Sequence, residues 1–278
     1  MKTGTTPFPR KRFGQHFLHD PRVLDAIVAA AAIAPGETVL EIGPGEGALT
    51  RRLAPRAARV LAVEIDRDLV PRLRAEFSGT PGVEIVEADV LSVDLAALAA
   101  RLRGRPVVVG NLPYNISSPL LFALIDAREA LDRMVLMLQR EFAERLAAPP
   151  DSDAYGALSV LAQVHLEVAI RFHVPPGAFR PPPAVASTVV VLTPRAAPAV
   201  PLPDPARFRR LVRAAFAQRR KTLLNTLRAA RLGPADPTAL ASRIEAAGVD
   251  PRRRGETLSL EEFARLDAAL ADLGPVRS

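Results

Sequence analysis

Between residues 38 and 138 the chain repeats one pattern. A short run of β-branched and other apolar residues meets a glycine-rich or polar break, and a stretch with helical spacing follows. The apolar runs fall at residues 38–42, 60–65, 83–86, 107–109 and 134–138, and the helical stretches between and after them at about 48–53, 68–77, 95–102, 118–125 and 141–147. Such short, almost wholly apolar runs read as strands buried on both faces, and parallel pairing of such strands needs a crossover long enough to hold a helix. Right-handed crossovers then give a doubly wound parallel sheet covered on both sides. Upstream, Asp20-Pro21 supplies an N-cap and a first helical proline, Val23, Leu24, Ile27 and Val28 recur at helical spacing, and Pro35-Gly36 stops a helix ending near Ile33.

Two later apolar runs, at about 164–172 and 187–192, are too close together for a crossover and predict an antiparallel hairpin at the sheet edge, making seven strands. The proline-rich loop at 174–183 between them is stiff and holds Phe179 in a defined place. A Pro- and Ala-rich linker at 195–205 is followed by helical segments at about 207–230, 237–247 and 259–273. The expected organisation is therefore an α/β domain over residues 1–198, with a basic N-terminal arm, and a small all-α domain over residues 199–278.

The net charge of +7 is unevenly spread. Residues 201–278 hold 15 Lys and Arg against 9 Asp and Glu, while residues 1–200 are nearly balanced. Nine basic residues and no acid lie between Arg207 and Arg231, where Phe208, Leu211, Val212 and Leu227 supply an apolar stripe. That asymmetry predicts phosphate contacts on a folded RNA, gripped by shape and backbone. With no cysteine, disulfides, thiolate metal sites and a cysteine nucleophile are excluded. His19, His165 and His173 lack metal-ligand spacing, so no metal is expected. Ser152, Ser159 and Ser187 sit in no nucleophile elbow. Without a signal-like or membrane-spanning run, the expectation is a cytoplasmic protein with no membrane partner.

The chemistry-bearing residues stand at the ends of the expected strands, where ligands bind in open α/β sheets. Gly43-Pro44-Gly45-Glu46-Gly47 lets a ligand approach the backbone at a helix start, Glu64 can accept both hydroxyls of a ribose, and Asp89 can accept from an adenine amine. At the fourth strand end comes Asn111-Leu112-Pro113-Tyr114. A side-chain amide oxygen and backbone carbonyls can accept from an exocyclic amine while the flat ring stacks on a heterocycle. Taken alone, that stretch reads equally well as a strand end and a turn. The four strand ends together point to a site for an adenosine-containing ligand beside an amino-purine.

This combination resembles the class I S-adenosylmethionine-dependent methyltransferases, and within them the ribosomal RNA adenine N6-dimethyltransferase family. The resemblance is carried by Gly14-Gln15-His16-Phe17-Leu18, residues 41–47, Glu64-Ile65-Asp66, Glu87-Ala88-Asp89, residues 110–115, Phe179-Arg180-Pro181-Pro182-Pro183 and residues 218–223. It implies a Rossmann-like fold, S-adenosylmethionine as methyl donor, and double methylation of adenosine N6. It implies cofactor contacts at His16, Leu18, Gly43, Gly45, Glu64, Asp89 and Asn111. The target adenine would be held by Asn111, Leu112, Pro113 and Tyr114, with Phe179 as a second stacking surface and Arg219, Arg220 and Lys221 on the RNA. The family commonly has Asn where this chain has His16. Leu112 and the Arg-rich C-terminal segment resemble the branch that modifies two adjacent adenosines in the 3′-terminal hairpin loop of small-subunit rRNA during ribosome biogenesis; large-subunit resistance methylases more often carry Ile at that place. The partner implied is the immature small subunit, met by a monomer. A non-catalytic ribosome-assembly factor and a nicotinamide oxidoreductase are the alternatives, the second disfavoured by the glycine spacing.

Overall fold

The computed structural model describes residues 15–271; most of the expected basic arm and the expected helix end near residue 273 lie outside the described residues. In chain order the first elements are β1 (Phe17–Leu18), α1 (Pro21–Ala31), β2 (Thr38–Ile42), α2 (Thr50–Leu53), β3 (Arg59–Glu64), α3 (Leu69–Phe77) and β4 (Val83–Glu87). Next come α4 (Leu95–Ala100), β5 (Val107–Asn111), α5 (Ser117–Asp126), β6 (Met134–Gln139), α6 (Arg140–Ala147) and α7 (Ala157–Gln163). The last are β7 (Leu166–Val174), β8 (Phe179–Arg180), β9 (Ser187–Pro194), α8 (Pro205–Ala215), α9 (Leu223–Ala229), α10 (Pro237–Ala246) and α11 (Leu260–Ala269).

Seven strands form one sheet in the order β4-β3-β2-β5-β6-β9-β7. The four pairings from β4 across to β6 are parallel, and β9 runs antiparallel to β6. This is the doubly wound, mostly parallel sheet with an antiparallel edge that the apolar runs imply. Sequence order reverses between β2 and β5, so the crevice beyond their carboxyl ends is the topological switch point where such sheets bind ligands. Val39, Val60, Val107, Val109 and Val135 on one face pack against Leu24, Ile27, Val28 and Ala31 of α1. Each large aliphatic side chain withdrawn from water in this way contributes about 1.5–3 kcal/mol.

Helix α1 begins as its sequence requires, with the Asp20 carboxylate accepting from Arg22 N–H and Pro21 in the first turn. It ends two residues earlier than the spacing suggests, because Ala32 turns left-handed at φ 47°. Arg133 takes up the freed carbonyls, donating to Ala31 O and Ala32 O at 2.8 and 2.9 Å, while the same guanidinium grips Glu37. A cation on a helix C-terminus is favoured by the local dipole, and it pushes the Glu37 carboxyl below the usual range.

By packing, the chain divides into two compact units: residues up to Ala143 with Glu167–Pro194, and Glu144–Leu166 with the chain from Arg195 onward. The segment Glu144–Leu166, reckoned with the α/β domain on sequence, thus groups with the C-terminal helices. Inside this second unit Phe216 meets Tyr155 edge-on and lies beside Phe263, which also meets Phe208. The Tyr155 hydroxyl donates to Leu258 O at 3.0 Å. Residues 207–230, expected as one helix, are two. Helix α8 stops at Ala215 so that Phe216 can reach that aromatic cluster, and Thr222 caps α9 by accepting from Asn225 N–H. Gln218, Arg219, Arg220 and Lys221 therefore stand on an exposed turn, not on a helical face.

Candidate active site

A cavity of about 310 Å³ opens at the carboxyl ends of β2, β3, β4 and β5. Its walls include Gly43, Gly45, Glu64, Asp89, Asn111, Leu112, Pro113 and Tyr114, together with His16, Leu18 and Phe179. The fold thus brings every candidate residue named on sequence in the first unit to one place. Arg219, Arg220 and Lys221 belong to the second unit.

The glycine-rich turn leaves β2 with Gly45 at φ +57°, a left-handed conformation that side chains with a Cβ adopt at a cost. Space is also tight, since a Cβ there would lie 3.2 Å from the Phe17 ring, which would have to shift. Glu64 ends β3 almost fully buried. One of its oxygens accepts from Gly45 N–H at 3.0 Å and the other from Asp66 N–H at 2.9 Å. Burial, with Asp66 nearby, pushes its carboxyl up, and backbone donors at Asp66, Gly45 and Ile65 pull the other way. A carboxylate has about four lone-pair sites, so acceptor capacity remains for a ligand hydroxyl. Asp89 is exposed, with one oxygen accepting from Leu91 N–H at 2.9 Å. Ile65 and Leu91, apolar residues 42% and 39% exposed at the cavity wall, complete this side with two surfaces for a flat heterocycle.

Opposite stands the Asn-Leu-Pro-Tyr stretch. Asn111 ends β5 and its Nδ2 donates to the His16 carbonyl at 3.1 Å. A carbonyl can only accept, so the amide orientation is decided and Oδ1 is the acceptor left over. The Pro113 carbonyl already accepts from Ile116 N–H at 3.2 Å and from the Ser117 hydroxyl at 3.3 Å. The Leu112 carbonyl is engaged by no bond among the described residues, so of the two carbonyls considered on sequence it is the one open to an amine. Tyr114 is half-buried and shares a hydrogen bond of 2.9 Å with Ser187 Oγ. Burial raises its phenol above the usual range, so it stays protonated at neutral pH and is no base. Phe179 is only 2% exposed and packs with Leu18, Val174 and Ala178, so it forms the back wall of the cavity.

One short segment ties both sides together. Strand β1 pairs antiparallel with β8, Phe17 opposite Arg180 and Leu18 opposite Phe179. Gln15 donates to Asp66 at 2.9 Å, His16 Nδ1 donates to Pro181 O at 2.8 Å, and the His16 and Tyr114 rings stack 5.9 Å apart. Beneath the glycine turn, Glu41 of β2 is 1% exposed. One of its oxygens accepts from Thr50 Oγ1 at 2.7 Å and the other has no partner among the described residues. Burial, with Glu64 nearby, pushes its carboxyl up to about 7.

Comparison with known proteins follows the same lines. The family described as "Ribosomal RNA adenine dimethylase" matches residues 9–271. The chain belongs to this family. Among curated relatives of the dimethylase family, "Ribosomal RNA small subunit methyltransferase A" of Geobacter sulfurreducens is 49% identical over 95% of this chain and 96% of its own length. The protein of the same name from Pseudomonas aeruginosa is 46% identical over 95% of each. A dimethyladenosine transferase from Plasmodium falciparum has a similar structure, with TM-score 0.78 and 30% identity over 90% of this chain and 96% of that one. The 23S rRNA methyltransferase ErmE aligns with TM-score 0.70 and 28% identity over 92% and 99%.

Several residues of this candidate site escaped sequence reasoning. Ser187, dismissed as a nucleophile, is the hydroxyl partner of Tyr114 from 73 residues away. Ile65 and Leu91 carried a usable signal, each being an apolar residue one or two places beyond a strand-end carboxylate. Glu41 is the one charged residue in the apolar run 38–42, and its partner Thr50 lies nine residues on.

Proposed function

We propose that this dimethylase-family enzyme transfers methyl groups from S-adenosylmethionine to N6 of two adjacent adenosines in the 3′-terminal loop of small-subunit rRNA, within an immature small ribosomal subunit. The observation that carries the chemistry is that Asn111 Oδ1 and the Leu112 carbonyl, two acceptors without a partner among the described residues, belong to the lining of one cavity with a half-buried aromatic ring and a glycine–carboxylate cradle. The named relatives support the small subunit as substrate over the large: those at 46% and 49% identity bear a small-subunit name, whereas ErmE stands at 28%.

The cradle suits the cofactor. Gly43 and Gly45 let a ligand lie on the backbone, Glu64 is set to accept ribose hydroxyls, Asp89 and the neighbouring backbone face a purine edge, and His16 and Leu18 line the cavity beside them. S-adenosylmethionine, when bound, supplies a methyl group already activated on a sulfonium. The protein's task is to make a poor nucleophile adequate. The exocyclic nitrogen of adenine shares its lone pair with the ring. With its two N–H groups accepted by Asn111 Oδ1 and Leu112 O, the nitrogen is drawn toward a pyramidal shape that frees the lone pair. The same acceptors stabilise the positive charge that develops on nitrogen, and Tyr114 holds the base in line. The target base must leave its stack to reach this depth. Each transfer forms one N–C bond and releases one N6 proton to solvent, so the second acts on an amine with one N–H left and either acceptor alone must then suffice. On the second unit, Arg220 and Lys221 present charge to RNA phosphates, with Arg219, which also donates to Asp153 O at 2.9 Å.

The test is methyl transfer from labelled S-adenosylmethionine to immature small subunits and to large-subunit rRNA, with modified positions mapped. Transfer to the two adjacent small-subunit adenosines is expected. Asn111→Ala should retain RNA binding and lose on the order of 100-fold or more in transfer rate. Undiminished dimethylation by that variant, or modification of large-subunit rRNA alone, refutes the reading.

A further inference from the structure

The Asn-Leu-Pro-Tyr stretch runs on into Asn115, which is exposed and belongs to the lining of the same cavity. Its backbone is held by the turn after β5, where Pro113 O accepts from Ile116 N–H at 3.2 Å and from the Ser117 hydroxyl at 3.3 Å. The other side chains of this wall that carry donors are engaged. Gln15 Nε2 donates to Asp66 at 2.9 Å, His16 Nδ1 to Pro181 O at 2.8 Å and Asn111 Nδ2 to His16 O at 3.1 Å, while the Tyr114 hydroxyl is joined to Ser187. The Asn115 carboxamide has no partner among the described residues, so it offers two N–H donors and an acceptor to a ligand. Around it acceptors predominate, with Asn111 Oδ1, Leu112 O and the carboxylates of Glu64 and Asp89 on the same cavity.

Two acceptors grip an exocyclic amine whichever base carries it. Among the four bases of RNA, adenine alone has an amine flanked on both sides by ring nitrogens that accept, N1 and N7. Beside its amine cytosine has one such nitrogen and a C–H, and guanine one such nitrogen and an N–H. A donor next to the amine-binding acceptors therefore distinguishes adenine where acceptors alone do not. We propose that Asn115 Nδ2 donates to one of these two ring nitrogens and is a specificity-determining contact for the target base. This deepens the reading of an adenine N6-methyltransferase and rests on it. Each transfer replaces an N6 proton and so removes a contact at the amine, whereas the lone pair of the ring nitrogen is left in place. The same donor thus serves both transfers. Because Asn115 is exposed, water can take the place of a missing partner, and the effect of its removal is that of one neutral hydrogen bond.

Asn115→Ala removes the amide, and Asn115→Asp keeps its shape but has no donor when ionised. Transfer to immature small subunits by the unaltered protein is measured first; absence of that transfer refutes the parent reading, and its presence makes the variants a test of Asn115 alone. Both variants are expected to lower kcat/KM by about 3- to 10-fold, with the dissociation constant for S-adenosylhomocysteine changed by no more than about twofold. The decisive arm uses small subunits reassembled on rRNA that carries 1-deazaadenosine or 7-deazaadenosine at both target positions. In each analogue a C–H stands in for one ring nitrogen while the amine is kept. The kcat/KM ratio of the unaltered protein to N115A should fall to near unity on at least one analogue, the one that lacks the accepted nitrogen. Thermal midpoints are recorded for both variants, and if N115A does not fold, N115D takes its place in the ratio. The proposal is overturned if the ratio persists on both analogues, if N115D transfers as fast as the unaltered protein, or if the loss lies in affinity for S-adenosylhomocysteine.

Discussion

Glutamine in place of Glu41 isolates the energetic consequence of burying a carboxyl under the glycine turn. Glu41 is fully enclosed, accepts one hydrogen bond from Thr50, leaves its second oxygen unpartnered, and lies near a second buried carboxyl, Glu64. Burial moves its pKa from 4.5 to about 7. The folded chain therefore holds a proton that the unfolded chain releases above pH 4.5, and folding takes up that proton between pH 4.5 and 7. The group's stabilising contribution is fully present below the unfolded value and is lost as pH rises through the folded one. At about 1.4 kcal/mol per pH unit the full effect is of order 3 kcal/mol. Glu41→Gln can keep the Thr50 bond through its amide oxygen and cannot ionise. Its NH₂ group meets an unpartnered site, so the variant carries a pH-independent offset of about 1–3 kcal/mol. Only the pH-dependent part is informative. Urea unfolding of both proteins at half-unit intervals from pH 5 to 8.5 should show E41Q gaining on the natural chain by about 2 to 3 kcal/mol up to pH 7 and levelling off above it. A difference between the two proteins that stays constant across that range refutes the argument, because Glu41 would then ionise alike in folded and unfolded chains.

Neutralising Arg220 and Lys221 to Gln should flatten the dependence of log affinity for rRNA on log salt concentration by about 1 to 2; an unchanged slope places the phosphate contacts elsewhere. Arg207→Met strands the Asp267 carboxylate, which is 2% exposed and held by two hydrogen bonds of 2.9 and 2.8 Å from that guanidinium. A loss of about 3–5 kcal/mol is expected by denaturant titration, and a loss below about 1 kcal/mol would mean that the pair behaves as a surface one. Gly45→Ala must accept φ +57° and a methyl 3.2 Å from Phe17. The backbone cost alone is about 1–2 kcal/mol, and calorimetric titration with S-adenosylhomocysteine should show weaker binding; unaltered affinity would separate the glycine turn from the ligand.

The parallel sheet and the glycine–Glu64–Asp89–Asn111 series were legible in the sequence because they are local. An apolar run followed by a helical repeat admits few arrangements, and strand ends in such a sheet converge wherever the loops lead. The two-residue strands β1 and β8 have no periodicity to read, and their pairing joins Phe17 to Arg180 across most of the chain. The choice between the Leu112 and Pro113 carbonyls depended on which one a following turn had already used. The basic run at 207–231 looked uncompensated because its acid, Asp267, lies 60 residues farther on.

By itself, then, the sequence determined the succession of strands and helices along the chain, the turn chemistry between them and the polar residues at the strand ends, since each follows from neighbours along the chain. Only the tertiary structure decided which way the Asn111 amide points, that Arg207 is spent on Asp267, and that burial lifts the Glu41 carboxyl to about 7. Those properties belong to contacts between residues distant in sequence, and exclusion of water and competition for hydrogen bonds exist only once the chain has closed on itself.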